Sequence, residues 1–386
     1  MSLTQHFFTK LPDDTQLSIA NRLLEFNVLY RIPLFKMFFR TLESFGADRS
    51  EMLGALETAS NFNGSFHQAW SSLGTALRAE AEEDEANEDY ISAKDKYLRA
   101  TLYHLVADWP IARGPIKQHN YKIALDNFSE FKRFHLPQIH KVEMPFAKGK
   151  LMANIRFPKK ENKAISKPYP AVIIFQGNDS VKEFMVYIED YALERGIATL
   201  TVDQPGFGES GMTGNLLDSN KAAMSCIKKS VNYLTKHPEI NHDAIGVFGF
   251  SFGGFTSLYT AGLSKKIKAV STIGAPMNLS KVYLNLSFLM KQRTFQWSGC
   301  QTDEEVLEML KDMDIPTVVS RIKCPAKIYH GMQDEVVGRS EAKAIAAAIQ
   351  SDVDLTFIED GDHTCSAHLD ELLPEIFDWM RDILLD

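Results

Sequence analysis

Ser251 stands in Gly249-Phe250-Ser251-Phe252-Gly253, between the apolar run Ile245-Gly246-Val247-Phe248 and a segment, Phe255 to Leu263, with the character of a buried helix. A G-x-S-x-G between a strand and a helix is a nucleophile elbow: the turn is tight enough to need glycine at its flanks, and it holds the serine Oγ clear of a strained backbone. A serine hydroxyl is a weak nucleophile until a base removes its proton, and that base needs a third group to fix its tautomer. Candidates for both follow. The strand expected at 326–329 runs into His330-Gly331-Met332-Gln333-Asp334-Glu335-Val336-Val337, which puts Asp334 on the turn at its C-terminal end, with Glu335 as the adjacent alternative. The strand expected at 355–358 runs into Glu359-Asp360-Gly361-Asp362-His363, which puts His363 on the next loop. Two other histidines compete as the base: His330 is expected to end its strand as a packed residue, and His368 to begin the last helix.

Acyl transfer also needs two N–H donors aimed at the developing oxyanion. One is the backbone N–H of the residue after the nucleophile, Phe252, at a helix N-terminus where the dipole assists. The other is expected from Phe175-Gln176-Gly177-Asn178-Asp179-Ser180, where Gly177 lets the backbone turn and Asn178 supplies the donor; an ordinary Gly-Asn turn is the alternative. Asp203-Gln204-Pro205-Gly206-Phe207-Gly208-Glu209-Ser210 is read as a rigid turn beneath the site. Its glycines lack the dinucleotide-binding spacing and no Walker lysine is present, so no nucleotide cofactor is expected. No H-E-x-x-H and no Cys/His cluster argues for a metal.

These residues sit in the second of two segments with different patterning. Residues 1–137 show helical periodicity, with Leu17, Ala20, Leu23, Leu24, Asn27 and Val28 on one stripe and Tyr97, Ala100, Leu102 and Leu105 on another. The acidic run Glu80 to Asp89 is a solvated helix face or connection. From 138 onward, 142–146 and 151–155 form a β-hairpin, followed by continuous apolar runs at 171–175, 197–202, 245–250, 268–273, 326–329 and 355–358, typical of strands buried on both faces. Helical segments at 181–195, 219–236, 252–263, 341–350 and 369–384 alternate with them, which predicts a doubly wound, mostly parallel α/β sheet behind an antiparallel hairpin. The interval between 273 and 326 is too long for a simple connection. It is expected to be a helical insertion, about 277–320, over the active-site face, with extra core helix as the alternative.

Composition narrows the setting. The 386 residues exceed most single cores, and the hydrophobic and charged contents of 45% and 24% are those of a globular protein. A net charge of −8 and a pI near 5.8 leave no basic footprint for nucleic acid or an anionic membrane. No window is long and apolar enough for a signal peptide or a membrane span, and the four scattered cysteines are read as free thiols, so a cytoplasmic location is expected.

The motifs together resemble the α/β-hydrolase superfamily: Gln204-Pro205-Gly206-Phe207-Gly208-Glu209-Ser210, Gly249 to Gly254, Gly331-Met332-Gln333-Asp334 and Gly361-Asp362-His363. Trp70, Ala93 to Tyr103 and Trp109-Pro110 resemble the helical N-terminal domain of the group containing the fermentation-respiration switch protein, 2,6-dihydroxypseudooxynicotine hydrolase and fungal polyketide-shortening hydrolases. The resemblance implies an α/β-hydrolase catalytic domain at 138–386, a helical cap at 1–137 over the serine, often a homodimer, and ester, thioester or carbon–carbon substrates. Some carbon–carbon hydrolases of the group use a carboxylate on the segment after the sixth strand. Gly274 to Gln301 contains no Asp or Glu, which weighs against that chemistry. The expectation is therefore a serine esterase or thioesterase, with Ser251, His363 and Asp334 as its triad and Phe252, Asn178 and Gly177 at the oxyanion hole. Its substrate is a small molecule with a hydrophobic or aromatic, even polyketide-like, acyl group. Phe26, Phe35, Phe38, Phe39, Phe45, Phe62 and Phe66 either wall the substrate pocket or serve as core. Carbon–carbon hydrolysis, acyl transfer and non-catalytic binding are the rival functions.

Overall fold

A computed structural model describes residues 33–61, 66–109, 114–147, 149–159, 167–178, 180–313 and 315–386. The contact pattern separates Met1–Ile139 from His140–Asp386, so the first strand begins close to the expected change of patterning at 137/138.

The first unit contains α1 (Pro33–Ser44), α2 (Arg49–Asn61), α3 (Phe66–Ala86), α4 (Tyr90–Ala107) and α5 (Pro115–Phe134). Asp89 caps α4 by accepting from the Ser92 amide, as a short polar side chain at that position should. Trp70, fully buried on α3, meets Phe39, Phe66 and Tyr103 at ring-centroid distances of 5.9, 5.6 and 5.5 Å. Phe39, Phe45 and Phe66 are thus core residues of this unit. The stripe from Leu17 to Val28, with Phe26 and Phe62, lies outside the described residues. The acidic run is a helix face neutralised by its neighbours: Lys96 pairs with Glu80 and Asp84, and Arg133 with Glu85.

The second unit is an eight-stranded sheet in the order β1-β2-β4-β3-β5-β6-β7-β8. Its strands are β1 (His140–Phe146), β2 (Gly149–Arg156), β3 (Tyr169–Phe175), β4 (Ala198–Val202), β5 (Ile240–Phe250), β6 (Ile267–Ile273), β7 (Ala326–Gly331) and β8 (Val353–Ile358). β1 and β2 pair antiparallel, as do β2 and β4, and every pairing from β4 through β3 to β8 is parallel. Flanking helices are α6 (Val186–Glu194), α7 (Gly208–Met212), α8 (Asn220–Lys236), α9 (Phe252–Leu263), α14 (Arg339–Ala348) and α15 (Leu369–Leu385). The insertion folds as α10 (Leu279–Asn285), α11 (Phe288–Ser298), α12 (Asp303–Lys311) and α13 (Ile315–Val319).

β3 is buried at every position, as its unbroken apolar sequence demands. β8 differs from expectation. Its apolar run 355–358 is only half-buried, because β8 is the edge strand and pairs with β7 alone. The chain order reverses between β3 and β5, since β4 lies beyond β3 and the chain returns across it to β5. Crevices at such a switch point, outside the carboxyl ends of the strands, are where open α/β sheets bind ligands. Among the described residues no helix is long and apolar enough to cross a membrane.

Candidate active site

β5 ends at Phe250 and α9 begins at Phe252, leaving Ser251 alone to reverse the chain at φ 50° and ψ −119°. Positive φ costs a non-glycine residue on the order of 1–3 kcal/mol and persists only where the surroundings impose it. Here the Ser251 amide donates to Ile273 O of β6 at 2.9 Å, and its carbonyl accepts from Phe255 N at 3.0 Å. Gly253 makes the turn possible, because a Cβ at that position would collide with the Phe175 carbonyl at the end of β3.

His363 and Asp334 meet Ser251 from the loops after β8 and β7. His363 Nε2 lies 2.7 Å from Ser251 Oγ, and His363 Nδ1 lies 2.8 Å from Asp334 Oδ2. The partners assign the tautomer: Nδ1–H donates to the carboxylate, which leaves Nε2 to accept the serine proton. Asp334 Oδ1 accepts from the Val336 and Val337 amides at 2.8 and 2.7 Å, so both carboxylate oxygens are held. Burial alone would raise the Asp334 carboxyl. The charge and hydrogen bond of His363, together with the Val337 amide, outweigh that and keep it below its ordinary value. Glu335, the adjacent alternative, is exposed.

The competing histidines have other partners. His330 is fully buried at the end of β7, and its Nε2–H donates to Val337 O at 2.9 Å, bracing the turn that carries Asp334. His368 precedes α15 and pairs with Asp360. Asp362 shapes the histidine loop by accepting from the Thr364 and Ser366 amides.

The loop after β3 lies against the elbow: a Cβ on Gly177 would sit 3.6 Å from both Phe250 O and Ser251 Cβ. Asn178 is on this loop, and its side-chain carbonyl accepts from Trp297 Nε1 at 2.7 Å. Phe252 holds the first position of α9, where an amide has no intrahelical acceptor. Its ring packs 5.2 Å from Trp297 and 5.8 Å from Phe207, and those two lie 5.7 Å apart, so an aromatic cluster grips the turn from above. Trp297 is a residue of this cluster that no sequence motif singles out. Only its aromatic character marked it.

Beside Ser251 is a cavity of about 50 Å³. Asn178 and Phe252 flank the serine, and α10, α11 and the turn between them supply Leu279, Tyr283, Leu286 and Met290 among the apolar walls. Among the described residues no charged side chain lines it. Within the insertion, α10 and α11 line the cavity, while α13 packs its Val318 backbone against Gly262 of α9. The acidic residue missing from 274–301 has a near neighbour in Asp303, whose carboxylate accepts from Tyr283 OH at 2.6 Å. Among the described residues no group of three or more His, Cys, Asp or Glu could hold a metal ion.

A family model described as esterase FrsA-like matches residues 51–291. The chain belongs to the FrsA-like esterase family. It is accordingly an α/β-hydrolase enzyme of the esterase type. A second model, for acetyl xylan esterase, matches residues 221–382 and so spans Ser251, Asp334 and His363. This FrsA-like chain is 28% identical over 346 residues to a 2,6-dihydropseudooxynicotine hydrolase of Paenarthrobacter nicotinovorans, covering 88% of this chain and 90% of that one. It is 28% identical over 220 residues to the esterase FrsA of Vibrio cholerae serotype O1, covering 56% of this chain and 50% of that one. A crystal structure of a 2,6-dihydroxy-pseudo-oxynicotine hydrolase superposes with a TM-score of 0.78 at 27% identity, covering 90% of this chain and 95% of the other. The FrsA-like family thus accounts for the sheet, the flanking helices and the helical N-terminal unit together.

Proposed function

We propose that the protein is a serine hydrolase that cleaves an ester or thioester with an apolar acyl group through an acyl-enzyme on Ser251. The observation that carries this reading is the hydrogen-bonded series Asp334–His363–Ser251, ending at a pocket whose described lining is uncharged. In the first step Ser251 Oγ bonds the acyl carbon as its proton passes to His363 Nε2, and the carbonyl oxygen becomes an oxyanion. The Phe252 and Asn178 amides receive that charge. The imidazolium returns the proton to the leaving alkoxide or thiolate as the bond to the acyl carbon breaks. Water then attacks the acyl-enzyme, His363 takes its proton, and Ser251 leaves with a proton restored. Asp334 accepts from Nδ1–H throughout and stabilises the imidazolium.

The acyl group this pocket favours is short. A cavity of about 50 Å³ has room for a few carbon atoms, well below the several hundred Å³ common for sites that enclose drug-sized ligands. Longer or aromatic acyl groups require the α10 and α11 side chains to yield.

A fluorophosphonate probe with a panel of aryl esters, acyl thioesters and β-diketones tests the proposal. The expected result is a covalent adduct on Ser251, absent in Ser251→Ala, with turnover of esters or thioesters falling on the order of 10⁶-fold in that variant. Labelling that persists in Ser251→Ala, or turnover of diketones alone, would overturn it.

A further inference from the structure

A charged cluster lies buried under the loop after β3. Asp203, immediately after β4, is fully buried, as are Lys182 and Glu183. One oxygen of Asp203 accepts from Gln176 Nε2 at 3.0 Å and from the Lys182 amide at 2.9 Å. The other accepts from the Glu209 amide at 2.9 Å and from Lys182 Nζ at 3.1 Å. Lys182 Nζ also donates to Glu183 and to Glu209, and Lys141 pairs with Glu209 from the rim. The Asp203 main chain is fixed separately. Its amide donates to Met152 O of β2, and its carbonyl accepts from Ser210 Oγ, which in turn accepts from the Met152 amide.

Gln176 and Lys182 bracket the loop that carries Asn178, and a single carboxylate holds both brackets. The four groups that hydrogen-bond the Asp203 carboxylate are all donors, and with the Lys182 ammonium they favour the ionised acid, whereas burial, with the Glu183 and Glu209 carboxylates nearby, pushes it up to about 7. Burying one ammonium among three carboxylates is a poor way to gain stability, since well-packed apolar side chains of similar volume serve as well or better. Such a cluster does fix positions. Hydrogen bonds to an ion are directional and short, whereas an apolar contact lets a loop slide.

We propose that Asp203 is a positioning residue for the oxyanion hole, acting through Gln176 and Lys182 to set the direction of the Asn178 amide. The proposal rests on the reading above, in which that amide receives the oxyanion. It also gives the Asp203-Gln204-Pro205-Gly206-Phe207-Gly208 turn a purpose beyond rigidity. Gly208 is at φ +44°, and a side chain there would collide with the Asp203 carboxylate.

The test compares the full-length protein with Asp203→Asn and Gln176→Ala, counting active sites by the endpoint of fluorophosphonate labelling. Each is assayed on a short-chain aryl ester and for affinity toward a trifluoromethyl ketone, which forms an anionic hemiketal on serine. In Asp203→Asn, kcat per labelled site should fall on the order of 10²-fold with KM within about twofold, and the ketone should bind weaker by a similar factor. Gln176→Ala should show the same pattern at about tenfold, and it decides the matter if Asp203→Asn does not fold. A purely structural role predicts a lower melting temperature and fewer labelled sites, with kcat per site and ketone affinity unchanged. That result in both variants overturns the positioning role alone. No labelling of the unsubstituted protein overturns the hydrolase reading, and this proposal with it.

Discussion

Trp297 donates its indole N–H to the Asn178 side-chain carbonyl across 2.7 Å, tying the insertion after β6 to the loop after β3. Trp297→Phe keeps an aromatic ring beside Phe207 and Phe252 but loses this bond. We expect kcat on a short acyl ester to fall about tenfold with little change in KM, less than the 10²–10³ that removal of a whole oxyanion donor costs. Steady-state kinetics normalised to labelled sites checks this; an unchanged kcat would mean that Asn178 needs no such tether.

Replacing Asp334 by Asn leaves the shape of the site but removes the acceptor that fixes the His363 tautomer. The expected loss is on the order of 10⁴ in kcat. There is a stability consequence as well. Burial alone would raise the Asp334 carboxyl, yet His363 holds it below the ordinary 3.8, so in this case the folded value is the lower one. The stability it contributes is present above pH 3.8 and is lost as pH falls through the folded value. Acid unfolding followed by circular dichroism should therefore begin at higher pH in Asp334→Asn than in the parent protein.

His330 works in the opposite sense. Burial lowers its value from 6.5 even though Asp334 stands nearby, so the folded protein holds it neutral where the unfolded chain takes up a proton. Its contribution is present above pH 6.5 and diminishes as pH falls below it. The melting temperature should drop between pH 7.5 and 5.5, and His330→Gln should narrow that drop by removing one of the groups responsible.

Met290 contributes to the apolar wall beside the serine. Met290→Ala should open the cavity and shift kcat/KM from two- and four-carbon acyl esters toward six- and eight-carbon ones, by roughly tenfold in the ratio. A chain-length profile of p-nitrophenyl esters reads this directly. An unshifted profile would place the acyl chain elsewhere.

Much of this architecture is legible in the sequence because parallel strands advertise themselves. A run such as Ala171 to Phe175 has no polar face, and the residues that follow each run are by geometry the ones that meet at the carboxyl edge of the sheet. Ser251, Asp334 and His363 each occupy such a position, so the candidate site can be assembled from local windows alone. What the sequence conceals is contact between distant segments. Trp297 and Asn178 are 119 residues apart, and Asp203 and Gln176 are 27 apart, with no periodicity linking either pair. β8 shows the other limit: Leu355 to Ile358 is as apolar as a central strand, and only the pairing reveals that it has a single neighbour.

The pairing of β5 with β3 rather than with β4 also bears on when the protein becomes reactive. During synthesis the elbow strand must enter beside a partner made long before it, and its other neighbour, β6, emerges only afterwards. Ser251 thus stands between a strand that precedes β5 in the chain and one that follows it, and His363 comes later still, behind β8. A growing chain thus carries the nucleophile before it carries the means to ionise it. In the hydrolase reading proposed above, the triad is complete only once the segment behind β8 is in place.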